Sequence, residues 1–228
     1  MTVAVVDYGA GNLSSVERAL ARQNAATVRV GSGEELTRLV DGASSRDASE
    51  RPLRAVVLPG VGHFGRLAAS LDARGLRGPL LEAMARGVPF LGVCLGMQAL
   101  WEGSDEAPAE RGLGLFPGRV TTLPATVKLP HMGWNRVTPV APVPSRLLAG
   151  VPAEAYVYFA HSYAAPAGDG VVAVCGYGGP PPFAAVVERG NLFGVQFHPE
   201  KSGAVGARIL ANFLAAAGAP AATAGRAA

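Results

Sequence analysis

Cys94 has a glycine two residues away on each side, in Phe90-Leu91-Gly92-Val93-Cys94-Leu95-Gly96-Met97-Gln98-Ala99. This G-x-C-x-G is the cysteine counterpart of the serine nucleophile elbow. The apolar run Val88–Val93 predicts a buried strand before the cysteine, and the residues after it predict a helix. A nucleophile on so sharp a turn is strained, and small flanking residues let the backbone close around it. The thiol then projects above the sheet. A helix N-terminus beneath the sulfur would favour the thiolate over the thiol, whose free pKa is about 8.5. The N–H of Leu95 and that of a neighbouring loop could face an oxyanion. Cys175, in VVAVCGYG, reads instead as a small buried hydrophobe.

A thiolate needs a base, and the base needs an orienter. The chain has four histidines, of which His63, His131 and His161 read as ordinary satisfied side chains. His198 stands apart because it lies in Gln196-Phe197-His198-Pro199-Glu200, just past an apolar strand. Residues two apart in an extended segment point the same way, and Pro199 stiffens the link between them. Glu200 can therefore accept from one ring nitrogen while the other faces the thiol. Cys94, His198 and Glu200 together predict acyl transfer through a thioester.

The totals narrow the alternatives. The 228 residues are 49% hydrophobic and 16% charged, ample for a buried core. The net charge of +3 is spread along the chain, and no run of Lys or Arg resembles a nucleic-acid footprint. Two cysteines without a CxxC exclude a disulfide framework and a zinc site, so no metal is expected. No P-loop and no GxGxxG after a strand is present, and no cofactor is expected. The N-terminus lacks a basic signal-peptide region, and no apolar stretch approaches the ~18 residues of a membrane span. With unpaired thiols the chain reads as cytosolic.

The elements that must carry these residues follow from periodicity. Val3–Val6, Thr27–Val30, Arg54–Leu58 and Val88–Val93 read as buried strands, with helical spacing between them at Leu13/Val16/Leu20, Leu36/Leu39/Val40 and Phe64/Leu67/Leu71. A short helix is bracketed by Pro79 and Gly87. Ser14 with Glu17 and Ser32 with Glu35 have capping-box spacing, and Asp41–Arg51 reads as an exposed loop. This alternation predicts a parallel sheet covered on both faces. The second half is strand-like at Gly112–Leu123, Trp134–Val140, Tyr156–Tyr163, Val171–Cys175, Ala184–Glu188 and Leu192–Phe197. Arg189-Gly190-Asn191 is the expected hairpin turn. A final helix is expected from Ser202 to about Leu214, burying Val205, Ile209, Leu210 and Phe213. One domain over 1–214 with a mixed sheet is the economical reading, and 215–228 is expected to be a disordered tail.

GVCLGMQ together with FHPE resembles the class I (triad) glutamine amidotransferases. The resemblance implies a three-layer α/β/α fold with a central mixed, mostly parallel sheet. DYGAGNLSSVERAL, LPHMGWNRV, YFAHSY and QFHPEKSG are similar to one branch of that family, the glutaminase subunits of imidazole glycerol phosphate synthases. It covers about Val3 to Leu214. It implies glutamine as substrate, Cys94, His198 and Glu200 as the triad, and PGVG at 59–62 as an oxyanion strand. There the N–H of Gly60 or Val61 would join that of Leu95. It further implies that Gln98, Glu106, Ser162 and Tyr163 contact glutamine, and that Asn12, Trp134, Tyr158 and Lys201 face a partner. That partner would be a (β/α)8-barrel cyclase, which consumes the ammonia in histidine biosynthesis and raises a weak glutaminase activity when bound. The nearest alternative, a subunit of another amidotransferase, fits PHMGWN and the DYGAGN start less well.

Overall fold

The structure is a computed structural model that describes residues 1–42, 53–140 and 144–218. Most of the loop expected at 41–51, and the end of the expected tail at 219–228, lie outside the described residues. Among the described residues no helix is long and apolar enough to cross a membrane.

Alternating strands and helices build the first half: β1 (Thr2–Val6), α1 (Leu13–Ala21), β2 (Ala26–Val30), α2 (Gly33–Gly42), β3 (Leu53–Gly60), α3 (Phe64–Ala73), α4 (Arg77–Ala85) and β4 (Phe90–Cys94). A one-turn helix, α5 (Leu95–Gln98), follows at once. Strands then dominate: β5 (Trp101–Ser104), β6 (Ala107–Arg111), β7 (Phe116–Thr122), β8 (His131–Arg136), β9 (Thr138–Pro139), β10 (Tyr156–His161) and β11 (Tyr163–Ala164). Next come β12 (Val171–Cys175), β13 (Phe183–Arg189) and β14 (Leu192–Val195), then a 3-10 turn at Pro199–Lys201 and α6 (Gly203–Gly218).

The main sheet has eight strands in the order β2-β1-β3-β4-β14-β13-β12-β9. β2 through β14 in that order pair in parallel, and the remaining pairs are antiparallel. This is the mixed, mostly parallel sheet expected. β1 shows why three layers form. Val3 and Val5 join the core beneath α1 and α6, whereas Ala4 and Val6 join the core beneath α2, α3 and α4. A strand apolar at every position buries both faces. The chain runs outward from β1 to β2 and returns on its other side as β3, so the order reverses between β1 and β3. Open α/β sheets form a crevice at the carboxyl ends of strands near such a reversal. Cys94 ends β4, one strand further on.

Several expectations differ in detail. Ser14 and Glu17 form no capping box, because both bind Arg29 on β2 instead, at 3.2 Å and at 2.8 and 2.7 Å. Ser32 and Glu35 make half of the expected box: Glu35 N–H donates to Ser32 Oγ, but the Glu35 carboxylate accepts from Gly31 N–H, one residue before the cap. The hairpin β5–β6 was not anticipated, since WEGSDEAPAER carries neither strand alternation nor β-branched residues. Asp41 and Gly42 belong to α2, and α6 continues four residues beyond Leu214. The turn at Gly190 between β13 and β14 is as expected, with φ of 60° at the glycine.

Candidate active site

Cys94 adopts φ 54° and ψ −110°, one of only two non-glycine residues with positive φ among the described residues. That conformation is costly for a side chain with a Cβ and persists only where the surroundings impose it. Three glycines impose it here. A Cβ on Gly92 would lie 2.5 Å from the Gly96 carbonyl oxygen, and one on Gly96 would lie 1.8 Å from that of Leu58. One on Gly60 would lie 2.5 Å from the Gly96 nitrogen. The elbow therefore seats directly against the end of β3, in line with the pairing of Gly60 with Cys94. The expected helix after Cys94 is only the four residues of α5, so its dipole contributes little to the sulfur. The cation beside the sulfur is a side chain.

That side chain is His198, buried at 4% exposure. Its Nδ1 lies 2.9 Å from Glu200 Oε1, which leaves the other ring nitrogen for a hydrogen bond with the Cys94 sulfur. Burial alone would lower the imidazole pKa. The hydrogen bonds to Cys94 and Glu200, together with their charges, outweigh it and push His198 up to about 10. The Glu200 side chain is 2% exposed, and its second oxygen has no hydrogen-bond partner in the structure. The His-Pro-Glu backbone is pinned as well. His198 N–H donates to the Tyr158 carbonyl, while Ser202 Oγ donates to the His198 carbonyl and accepts from Tyr158 N–H. Gly206 lets α6 approach Pro199, where a Cβ would stand 1.9 Å from the carbonyl oxygen.

Cys94 and His198 open on a cavity of about 280 Å³ that is also lined by Val61, Gly62, Leu95, Gln98, Glu106 and Ser162. The expected glutamine contacts thus surround one space, but two of them are already engaged. The Gln98 amide donates to the Tyr163 carbonyl at 2.7 Å and to Gln196 Oε1 at 3.0 Å, leaving its own oxygen for a ligand. Glu106 Oε2 accepts from Phe64 N–H, the first turn of α3, at 2.8 Å. Tyr163 lines the cavity too, and Ser162 holds Leu123 N–H through its carbonyl. Val61 N–H donates to the Tyr8 hydroxyl at 3.2 Å. Burial above all holds the Tyr8 phenol protonated, with its pKa above the ordinary value.

The residues expected to face a partner do not all meet. Trp134, 56% exposed, packs edge-on to Tyr158 at 6.2 Å, and the Lys201 ammonium sits over Tyr158 at 5.5 Å. Lys201 also lines the cavity. Asn12 is exposed at the head of α1 and borders a separate small cavity beside Glu200 and Gly60.

Sequence reasoning missed Gln196, Tyr8 and the part played by His161. Gln196 donates to the Cys94 sulfur at 3.6 Å. It is two residues before His198, so the alternation that selected Glu200 would have selected it too. His161 lines the cavity, and its Nδ1 lies 2.8 Å from the Tyr163 carbonyl. That leaves Nε2 to accept from His131 Nδ1 at 3.1 Å, and His131 Nε2 to accept from the Asn135 amide at 3.3 Å. Burial pushes His131 down to about 4. Burial also pushes His161 down to about 3, with the charges of His131 and His198 adding to it. Cys175, as expected, is buried, and burial pushes its thiol up to about 12.

A strained elbow nucleophile, a braced imidazole and this sheet order define a class of enzyme. The model of the class-I glutamine amidotransferases matches residues 4–217, and the chain belongs to that family. Curated relatives include the imidazole glycerol phosphate synthase subunit HisH of Methylococcus capsulatus, 48% identical over 227 residues, covering 93% of this chain and 95% of that protein. The subunit of the same name from Deinococcus radiodurans is 46% identical over 215 residues, covering 92% of each. Among solved structures, a glutamine amidotransferase aligns with a TM-score of 0.69 at 19% identity, covering 95% of this chain and 99% of that one. The glutaminase domain of Trypanosoma brucei CTPS with bound acivicin aligns at 0.66 and 18% identity, covering 95% of this chain and 93% of that one. At such identities the two structures speak for the fold.

Proposed function

We propose that this chain is the glutaminase subunit of an imidazole glycerol phosphate synthase, releasing ammonia from glutamine for histidine biosynthesis. The observation that carries the chemistry is His198 held between the Cys94 sulfur and the Glu200 carboxylate at a strained elbow. The named relatives, matched over more than nine-tenths of their length, support the choice of synthase.

Cys94 thiolate attacks the side-chain amide carbon of glutamine, forming a tetrahedral oxyanion. Backbone N–H groups of Leu95 and of Gly60 or Val61 stabilise that charge, each donor being worth about 3 kcal/mol in the transition state. His198 gives its proton to the leaving nitrogen, and ammonia departs. The imidazole then takes a proton from water, which hydrolyses the glutamyl thioester to glutamate. Glu200 keeps the ring oriented and offsets its charge throughout. Gln98, Glu106, Ser162 and Tyr163 hold the amino-acid end of the substrate.

Ammonia set free in water would be protonated and lost. We place a (β/α)8-barrel cyclase over the cavity mouth, against Asn12, Trp134, Tyr158 and Lys201, in the cytoplasm. Residues 1–214 act as one glutamine amidotransferase domain. An assay of ammonia release from glutamine, with and without the cyclase and its nucleotide substrate, tests the reading. Release that rises with both present is expected; a chain that never hydrolyses glutamine would refute it. A thiol-alkylating glutamine analogue should label Cys94, and glutamine should protect it.

A further inference from the structure

The Cys94 sulfur has a second polar neighbour besides His198. Gln196 Nε2 lies 3.6 Å from it, and Gln196 is fully buried. The sheet brings the two together. Val195 pairs with Val93 in parallel register, so Gln196 and Cys94, one residue further on, meet at the ends of β14 and β4.

The two ends of a side-chain amide have the same shape, so hydrogen bonding decides which of them meets the sulfur. The decision starts at a backbone carbonyl. The Tyr163 oxygen can only accept, so the Gln98 atom 2.7 Å from it is the nitrogen. That nitrogen also lies 3.0 Å from the Gln196 side chain, and its second N–H requires an oxygen there. Gln196 therefore turns its oxygen to Gln98 and its NH2 group to the sulfur. A reversed Gln196 would set two NH2 groups against each other and an oxygen against a thiolate.

We propose that Gln196 is a further catalytic residue, whose amide donates to the Cys94 thiolate in an orientation fixed by Gln98 and the Tyr163 carbonyl. The inference rests on the reading of Cys94 as the nucleophile of glutamine hydrolysis. A donor fixed on the sulfur favours the anion over the thiol before attack. The same donor serves when the thioester is hydrolysed. Water oxygen then bonds to the thioester carbon, the C–S bond breaks, the sulfur takes the bonding pair, and the water proton goes to His198. A sulfur whose anion is stabilised leaves faster. His198 loses and regains a proton during the cycle, whereas the amide donor is constant.

The titratable groups facing the sulfur are His198 with Glu200 behind it, Tyr8 from the turn after β1, and His161, Glu106 and Lys201 around the cavity. Gln196→Met leaves all of them in place and replaces the amide by an unbranched thioether of similar length. The rate of Cys94 alkylation by iodoacetamide is measured against pH on the full chain, at the Cys94 peptide. In the variant the acid limb should move up by about one pH unit, the equivalent of one hydrogen bond to a charged group. Nucleophilicity rises with thiol pKa, with a Brønsted slope of about 0.4–0.5, so the two profiles should cross. The variant should react about threefold more slowly below the limb and about threefold faster above it. The kcat/KM profile for glutamine should show the same displaced acid limb. A merely structural role would lower melting temperature and the rate at every pH, with no crossing.

If Gln196→Met does not fold, Gln98→Met decides, because it frees the Gln196 amide to turn and should move the limb the same way by less. Iodoacetamide needs no glutamine site, so the lost substrate contact does not enter. An unmoved limb in the variant that folds, with a parent chain that hydrolyses glutamine, overturns the role of Gln196 and leaves the glutaminase reading intact. Absence of hydrolysis by the parent chain, with the cyclase and its nucleotide present, overturns that reading and the catalytic role of Gln196 with it.

Discussion

Two buried histidines, His161 and His198, line the cavity, a third, His131, backs His161, and two regions treat them in opposite ways. His198 sits between a sulfur and a carboxylate, and its pKa rises to about 10 despite burial. His131 and His161 are as deeply buried, at 3% and 6% exposure, yet fall to about 4 and about 3. The difference is in their partners. The pair is bonded to neutral groups, namely the Tyr163 carbonyl, each other and the Asn135 amide, and His131 is stacked between Tyr177 and Phe159. Burial penalises a charge that nothing compensates, whereas an adjacent anion reverses the sign. One face of the cavity thus holds a proton ready for transfer, and the other is kept neutral beside it.

Removing the anion partners is the strongest way to break this contrast. Cys94→Ala should abolish ammonia release, by about 10⁴-fold or more in kcat. Glu200→Gln keeps the shape and removes the charge, and should lower kcat by about 10²- to 10⁴-fold. It should also move the alkaline limb of the kcat/KM profile downward, toward the ordinary histidine value, because one cause of the raised pKa is gone. An unmoved limb would assign the proton to another group.

Stability against pH separates the two regions by sign. For His131 and His161 the folded pKa lies below the unfolded value of about 6.5, so their contribution is whole above that pH. It is lost as pH falls toward 4 and then 3. Urea midpoints should therefore drop on acidification, and His161→Phe should flatten that drop while costing about 1 kcal/mol at neutral pH for the lost hydrogen bonds. His198 runs the other way: its contribution is whole below about pH 6.5 and is lost as pH climbs through about 10. Cys94→Ser should remove much of this alkaline loss in the same urea midpoints, because the hydrogen bond to Cys94 is the first of the causes that raise His198. The smallest effect belongs to the other cysteine. Cys175→Ala should leave kcat unchanged and cost about 1 kcal/mol of stability, measured by denaturant unfolding.

Much of the site was readable because its determinants are local. The elbow is written in five consecutive residues, since close approach of β4, α5 and β3 demands glycine at 92 and 96. The brace is written in His-Pro-Glu, where alternate residues share a side. Gln98, expected by resemblance to contact glutamine, lines the cavity, and that its amide is spent on Tyr163 and Gln196 depends on segments 65 and 98 residues away. His131 and His161 could not be told from structural histidines, because nothing nearby in the chain marks them. They become neighbours only when β8 pairs with β10 in the register that sets them opposite. The β5–β6 hairpin was missed for a related reason: β5 becomes strand by pairing with β7, and β6 by pairing with β5, rather than by propensity.

By itself the amino-acid sequence determined the parallel half of the sheet, the strained cysteine and the residue types that activate it. These follow from short-range sterics and from periodicities of two and 3.6 residues. Only the tertiary structure decided how firmly each histidine holds a proton and which donors are free. A pKa depends on every charge and dipole within a few ångströms, and those come from segments the chain brings together only on folding. Val61 is the sharpest instance. Resemblance alone suggested its N–H as an oxyanion donor, and its capture by Tyr8, 53 residues earlier, exists only where β1 and β3 lie side by side.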